Sequence, residues 1–252
     1  MAERSLCPQT EPFRIRGEPF SASEILCVLE EYISEERKQR IREVVAQRTY
    51  SVVPVLEGLY DFGNVNAVLR SAEAMGCQAA HVIDLVTKFK KANRVSKGAE
   101  KWLDIRRWNA TVPCVTHLRA MGYRIIATHL QGGRPIAEIA FDAPSAVFFG
   151  NEHDGVSQTL AGMADELVRL PIIGFTESYN ISVAAAITLY HIYRDRMARL
   201  GSHGDLTRDE MVRLMAVYYR RSVDAADEIL LRSRRGRSPW PLMFPTGLHS
   251  GR

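Results

Sequence analysis

The sequence predicts an α/β fold built on a mostly parallel β-sheet with helices on both faces. From about residue 50 onward, short apolar segments alternate with amphipathic segments that have helical spacing. This alternation favours a parallel sheet, because each strand needs a crossover to reach its neighbour and helices usually make that crossover. The chain has 252 residues, which allows one large domain or two small ones, so length alone does not decide the domain count.

Strands are predicted where apolar runs lie between turn residues. These runs occupy residues 51–59, 79–85, 102–108, 123–130, 145–150 and 167–172. Helices are predicted where apolar residues recur every three or four positions, at residues 22–47, 64–75, 112–121, 157–164, 182–200 and 206–233. Ser21 or Ser23 suits the N-cap of the first helix. Gly76, Gly122 and Gly201 follow three of the others and suit their carboxyl ends.

The composition is that of an ordinary globular protein, with 46% hydrophobic and 25% charged residues. The sequence contains no apolar run of about eighteen residues, and its start lacks the apolar core of a secretory signal. We therefore expect no membrane partner and a cytoplasmic location, with an organelle left open. The four cysteines are scattered without a CxxC pair, which favours reduced thiols over a disulfide framework or a metal site.

Positive charge is grouped along the chain. The net charge is +4, and Lys and Arg bunch within residues 36–48, 88–94, 106–108 and 218–237. One such run is usually a solvated face, but several runs make a polyanionic partner such as nucleic acid an equally reasonable interpretation.

The first segment with the character of a site is YDFGNVNAVLRSAEAMG, residues 60–76. Gly63 and Asn64 suit a turn that leads into a helix N-cap. Arg70 lies at the edge of the apolar stripe of the predicted helix. It either serves a ligand, or it extends into solvent or pairs with Glu73.

The second segment is VFFGNEHDGVSQTL, residues 147–160, in which a buried strand ends at Gly150 and a polar loop follows. Glycine in such a loop lets a ligand approach the backbone closely. His153 and Asp154 are adjacent, and sequence neighbours rarely form an acid–base pair. We interpret the loop as a site and His153 as a bystander.

The third segment is RLPIIGFTESYNISVAAAITLYH, residues 169–191. Ser178 and Asn180 come just before a helix rich in small residues. Ser and Asn are good helix caps, so capping and a role in a site explain them equally well. The alanines from Ala184 to Ala186 allow this helix to pack closely, including against a second subunit.

The patterns of several enzyme classes are absent from the sequence. There is no GxxxxGK loop of the P-loop NTPases and no GxGxxG after a strand, so neither a P-loop nor a dinucleotide fold is indicated. The hydrolase patterns GxSxG and HExxH are also missing, as are the RRM and KH signatures of RNA-binding modules.

In this order, the three segments resemble the three motifs of the SpoU branch of the SPOUT RNA methyltransferases. The matching positions are Asn64 and Arg70 in the first, Gly150, Glu152 and Gly155 in the second, and Leu170 to Ala184 in the third. The resemblance covers roughly residues 50–200, and three motifs in register are far more specific than one. Within the family, residues 127–130 and 138–152 are most similar to the members that methylate guanosine 18 of tRNA.

The resemblance implies methyl transfer from S-adenosylmethionine to a ribose 2′-hydroxyl of RNA, with guanosine 18 of tRNA as the expected target. An rRNA target and an inactive RNA-binding homologue are the alternatives. It also implies an obligate homodimer and a C-terminal deep trefoil knot, against the general rule that chains are not knotted. The chain would then divide into a helical extension (1–49), a knotted methyltransferase domain (50–203) and a basic helical appendage (204–252).

The resemblance also assigns site residues by position. Arg70 would be the catalytic residue. The residues expected beside it are Asn64, Glu152, Ser178 and Asn180. Backbone around Thr128, Gly150, Leu170, Ile172 and Tyr179 would hold the adenine and ribose of the cofactor. The family usually has Leu where this chain has Tyr179 and Met where it has Ile172. Both are apolar-wall positions that use backbone contacts, so cofactor binding is expected to survive, although Tyr179 is large enough to narrow the pocket. No metal is expected.

Overall fold

A computed structural model describes residues 5–59, 61–84, 98–130, 132–151 and 155–235 of the chain. The strands within these ranges are β1 (Phe13–Ile15), β2 (Glu18–Phe20), β3 (Val52–Glu57), β4 (Ala79–Ile83), β5 (Asp104–Trp108), β6 (Arg124–Thr128), β7 (Arg134–Pro135), β8 (Ser145–Phe149) and β9 (Glu166–Arg169). The α-helices are α1 (Ala22–Leu29), α2 (Glu35–Ala46), α3 (Phe62–Ala74), α4 (Thr111–Ala120), α5 (Gln158–Met163), α6 (Ile181–Leu200), α7 (Arg208–Ser222) and α8 (Ala226–Arg235).

A seven-stranded sheet forms the centre of the molecule, in the order β5-β4-β3-β8-β6-β9-β7. Every neighbouring pair in it is parallel. The predicted α/β class with a mostly parallel sheet flanked by helices is therefore confirmed, whereas the trefoil knot stays a prediction. Because all strands run the same way, the loops after β6, β8 and β9 leave the sheet at one edge, side by side.

Both faces of the sheet are buried, and alternate residues of each central strand point to opposite faces. In β3, Val53 and Val55 belong to one apolar cluster, and Val52 and Leu56 to the other. The first cluster also contains apolar side chains of α1, α4 and α7. The second contains those of α3 and α6, so the two helices nearest the predicted motifs share one face.

The predicted strands are confirmed with shifted ends. The predicted strand 123–130 ends at Thr128, and the predicted strand 167–172 ends at Arg169. Their last residues are therefore loop rather than strand. The hairpin of β1 and β2 was not predicted, because its two three-residue strands are too short to show a period.

Two predicted long helices are each divided in the structure. The predicted helix 22–47 is interrupted at Ile33, which has extended backbone (φ −126°, ψ 128°). Ser34 then caps a new helix by accepting a hydrogen bond from the amide of Arg37. The predicted helix 206–233 is likewise two helices, α7 and α8, separated by Ala225 at a positive φ of 54°.

The first and last described helices pack together on one face of the sheet. Helix α1 contacts both α7 and α8, and α2 contacts α7. Ile25 and Leu214 are fully buried in the same apolar cluster as the sheet residues of that face. The described part of the C-terminal segment is therefore docked on the core, while the domain boundaries at residues 49 and 203 stay predictions.

Asp205 joins the segment after α6 to the core through a buried arginine. Its carboxylate accepts hydrogen bonds from Arg196 Nη2 at 2.8 Å and from Thr49 Oγ1 at 2.7 Å. Arg196 is 1% exposed and also donates to the carbonyl oxygens of Phe141 and His203. A buried guanidinium needs an anionic partner, and this contact connects α6, the segment before α7 and the segment before β3.

Asp205→Ala should lower the free energy of unfolding by about 3 kcal/mol, because it leaves Arg196 buried without its carboxylate. Chemical denaturation followed by circular dichroism measures this loss. Glu43→Ala is the matched control, since Glu43 forms an exposed pair with Arg40 at 3.6 Å and should contribute less than about 1 kcal/mol. Equal stability of the two variants would contradict the assignment.

Candidate active site

Helix α3, which carries Arg70, begins earlier than predicted. It starts at Phe62, and Asp61 is its N-cap, with a side-chain oxygen 2.8 Å from the amide nitrogen of Gly63. The expectation that Asn64 caps this helix is wrong, because the carboxylate of Asp61 already accepts that bond. Asn64 instead lies in the first turn of α3, where its Oδ1 accepts a hydrogen bond from the side-chain nitrogen of Asn180.

Arg70 lies on the exposed side of α3, beside the buried stripe that includes Leu69 and Ala72. It does not pair with Glu73, whose carboxylate binds the buried Arg48. Among the residues that the structure describes, Arg70 forms no hydrogen bond or ion pair. The N–H donors of its guanidinium therefore have no partner among the described residues.

Asn180 connects the third segment to the first. Its side-chain oxygen caps α6 by accepting from the amide of Ser182 at 3.0 Å and from the Ser182 hydroxyl at 2.6 Å. Its side-chain nitrogen donates to Oδ1 of Asn64 at 3.3 Å. Asn180 therefore caps α6, as predicted, and also brings the start of α6 to the start of α3, while its role in a site stays a prediction.

One cavity collects the residues that were expected to hold the cofactor. Its lining includes Thr128, Gly150, Leu170, Ile172 and Tyr179, together with Ser178. The cavity lies where β6, β8 and β9 end, which is where ligands bind in open parallel sheets. The sequence alone did not single out four further lining residues as site residues, His129, Leu130, Asn151 and Ile181, although each lies within two positions of a predicted one.

Hydrogen bonds across the strand ends fix one wall of this cavity. Thr128 Oγ1 donates to the carbonyl oxygen of Phe148 at 3.1 Å. The backbone amide of His129 donates to the carbonyl oxygen of Val168 at 2.8 Å. These bonds join the end of β6 to β8 on one side and to β9 on the other. The backbone of the wall is therefore held in place before any ligand binds.

Gly150 is required by the loop itself. A Cβ at this position would lie 2.0 Å from the backbone carbon and oxygen of Gly155. Asn151 and Gly155 exchange two backbone hydrogen bonds, of 3.0 and 3.1 Å, and Gly155 has a φ of +68°. The sequence interpretation, in which glycine admits a ligand, is thus incomplete, because the loop first needs glycine to close on itself.

The loop from Pro171 to Tyr179 is closed by one contact. The Tyr179 hydroxyl donates to the carbonyl oxygen of Pro171 at 2.9 Å, and Tyr179 remains 39% exposed. Ile172 and Ser178, inside this loop, are half-buried against the cavity. Three residues of the second segment, Glu152, His153 and Asp154, lie outside the described residues, so the predicted role of Glu152 stays a prediction.

The largest pKa shifts of histidines and cysteines lie outside the cavity. Burial lowers the pKa of His81 to about 4 and, with the nearby Arg196, the pKa of His203 to about 4. Burial also raises the pKa of Cys77 and of Cys114 to about 12. None of these groups lines the cavity, so their shifts reflect packing, although shifted groups often mark catalytic sites.

The described residues contain neither a candidate metal site nor a candidate membrane span. No group of three or more His, Cys, Asp or Glu side chains in this part of the chain is arranged to hold a metal ion. Among the same residues, no helix has the length and apolar character needed to cross a membrane.

Comparison with known proteins places the chain in a family. Residues 51–190 match the model of the SpoU rRNA Methylase family. A Borreliella burgdorferi protein named tRNA (guanosine(18)-2′-O)-methyltransferase is 33% identical over 197 residues, covering 78% of this chain and 90% of that protein. The crystal structure of the TrmH/SpoU tRNA modifying enzyme of A. aeolicus superimposes with a TM-score of 0.67 at 26% identity, covering 78% of this chain and 99% of that one.

A second solved structure holds a cofactor. The AdoMet-bound rRNA methyltransferase from Sinorhizobium meliloti superimposes with a TM-score of 0.53 at 28% identity, covering 61% of this chain and 59% of that one. The family match spans more than half of the chain and includes all three segments around the cavity. The chain therefore belongs to the SpoU rRNA Methylase family.

Proposed function

We propose that this protein transfers the methyl group of S-adenosylmethionine to the ribose 2′-hydroxyl of guanosine 18 in tRNA. The observation that carries the proposal is the meeting of the three segments: one cavity is lined by the second and third, and Asn180 links the third to the helix of Arg70. The similar protein of B. burgdorferi, named for this reaction, supports tRNA over rRNA as the substrate.

The lining of the cavity suits S-adenosylmethionine. Leu170, Ile172 and Ile181 give apolar walls for an adenine ring, and backbone of Gly150 and Asn151 borders the same space. No Lys or Arg is among the described lining residues, which favours a ligand that carries a positive charge. When bound there, the cofactor supplies an activated methyl group, and the protein supplies its orientation.

Arg70 is the residue we assign to the reacting hydroxyl. A guanidinium stays charged in proteins and accepts no proton in that state. We assign it to hold the RNA phosphate beside the target ribose and the oxygen on which negative charge develops, with the phosphate helping to remove the proton. The start of α3 and the loop from Pro171 to Tyr179 are positioned relative to each other by Asn64, Ser178 and Asn180. Electrostatic stabilisation of this kind is often the largest catalytic contribution.

Exposed basic side chains provide contacts for a polyanion. Arg40 and Arg42 are exposed on α2, and Arg106 and Arg107 on the edge strand β5. The guanidinium of Arg106 lies 4.1 Å from the centre of the Trp108 ring. Arginine and aromatic side chains together favour RNA, since one binds phosphate and the other stacks on bases.

We further propose a homodimer in which α6 lies at the interface. Ile173 and Phe175 are fully exposed, and Val183, Ile187 and Tyr190 are between 38% and 50% exposed along one side of α6. An apolar surface of this extent is typical of a protein interface. In this assembly, residues 50–203 form the catalytic unit, and the terminal segments support it.

Arg70→Ala should lower the rate of methyl transfer by at least about 100-fold while S-adenosylmethionine still binds, because the contacts that are lost are to the RNA phosphate and the developing negative charge and not to the cofactor. Arg70→Lys should recover little of this rate, since an ammonium cannot make the same paired contacts. Mass spectrometry of tRNA and rRNA after incubation measures the methyl and its position. Arg14→Ala, on the distant β1, is the control. Methylation of rRNA alone would overturn the choice of substrate, and normal turnover by Arg70→Ala would overturn the role of Arg70.

Ile172→Trp should fill the cavity and weaken the binding of S-adenosylmethionine by more than about tenfold, while tRNA binding is kept. Titration calorimetry measures the first effect, and filter binding measures the second. Val112→Trp is the control, because Val112 is exposed on α4. Unchanged cofactor affinity in folded Ile172→Trp would show that the cofactor binds elsewhere.

The double variant Phe175→Glu and Ile187→Glu should dissociate the dimer, because it places charge on the exposed apolar surface. Sedimentation velocity should then show a monomer where the unchanged protein sediments as a dimer. Tyr32→Glu, at an exposed aromatic far from α6 in the sequence, should leave the dimer intact. A monomeric unchanged protein would refute the proposed assembly.

A further inference from the structure

Glu57 is a buried carboxylate at the end of β3, only 2% exposed. Its Oε1 accepts hydrogen bonds from the Thr111 hydroxyl at 2.5 Å and the Ser157 hydroxyl at 2.8 Å. Its Oε2 accepts from the amide of Ser157 at 2.8 Å. The three donors come from the first turn of α4 and from the N-cap of α5, so one side chain joins three segments.

Such a carboxylate is costly to bury unless its oxygens are hydrogen-bonded. Among the described residues, no Lys, Arg or His lies close enough to Glu57 to form an ion pair. Its burial is therefore compensated by the three hydrogen bonds, and two of these come from Ser157. Bonds to an ionised acceptor are also shorter and stronger than bonds between neutral groups.

Ser157 closely follows the glycine loop, which runs from Gly150 to Gly155 and borders the cavity. It follows Gly155 by two residues, and Val156 between them is 8% exposed. Gly155 and Asn151 are joined by their two backbone hydrogen bonds, and both line the cavity together with Gly150. Ser157 also caps α5 by accepting from the amide of Leu160 at 3.1 Å. Its place therefore determines where the glycine loop ends.

We infer that Glu57 is a positioning residue for the cofactor: it holds the loop of Gly150 and Gly155 against the end of β3. This inference rests on the proposed use of the cavity by S-adenosylmethionine. The two bonds to Ser157 hold the end of the glycine loop. The bond to Thr111 acts on α4, which does not line the cavity.

Four variants distinguish the bonds that Glu57 forms with Ser157 from the bond that it forms with Thr111. Glu57→Met keeps the length of the side chain and removes both acceptor oxygens. Glu57→Gln keeps one acceptor for the Ser157 amide, and its amide group can donate to the two hydroxyl oxygens. Thr111→Val removes only the bond to α4. Ser157→Ala removes the hydroxyl on the loop side, and with it both the bond to Glu57 and the cap of α5, but keeps the amide bond to Glu57.

Titration calorimetry with S-adenosylmethionine should show affinity about tenfold weaker for Glu57→Met, equivalent to about 1.4 kcal/mol. Glu57→Gln should stay within about threefold of the unchanged protein, and Thr111→Val within about twofold. The affinity for tRNA should be the same in all of them, whereas general loss of structure would weaken both ligands together.

Unchanged cofactor affinity in folded Glu57→Met would overturn the inference, and so would a loss in Thr111→Val as large as that in Glu57→Met. If Glu57→Met does not fold, Ser157→Ala decides: we expect about fivefold weaker binding, and normal binding overturns the inference. Failure of the proposed function is a separate result, because Ile172→Trp would then bind the cofactor normally.

Discussion

Strand β6 runs parallel between β8 and β9, and this pairing determines where the loops around the cavity lie. A parallel sheet delivers the ends of neighbouring strands to one edge, so Thr128, Gly150 and Leu170 meet although they are far apart in sequence. The bonds from Thr128 and His129 to the adjoining strands then fix the backbone of that edge. Preformed backbone is well suited to a ligand that is to be held by main-chain groups.

The sheet was predictable because strands buried on both faces appear as short apolar runs between turn residues. Helix bounds were less predictable where a local polar contact competes with the apolar period. Ile33 fits the helical spacing, but the Ser34 cap begins a new helix after it. Likewise, the cap of α3 is Asp61 and not the predicted Asn64. Such choices depend on which donor each side chain reaches, and spacing alone does not reveal that.

The site was predictable only as far as the three segments matched a family pattern. Arg70 in isolation looked like any surface arginine, and its lack of a described partner became visible only when Glu73 was found with Arg48. Glu57 gave no signal at all, because a single acidic residue at the end of an apolar strand is common. Its principal partner, Ser157, lies 100 residues further along the chain, and only the fold brings them together.

The packing of α1 against α7 and α8 also has a consequence during synthesis. Ile25 leaves the ribosome early, but the helices that cover it are completed only when residue 235 has been translated. Until then the apolar side of α1 stays uncovered, and exposed apolar surface on a nascent chain is a target for chaperones and a cause of aggregation. Vectorial synthesis therefore leaves this part of the core to close last.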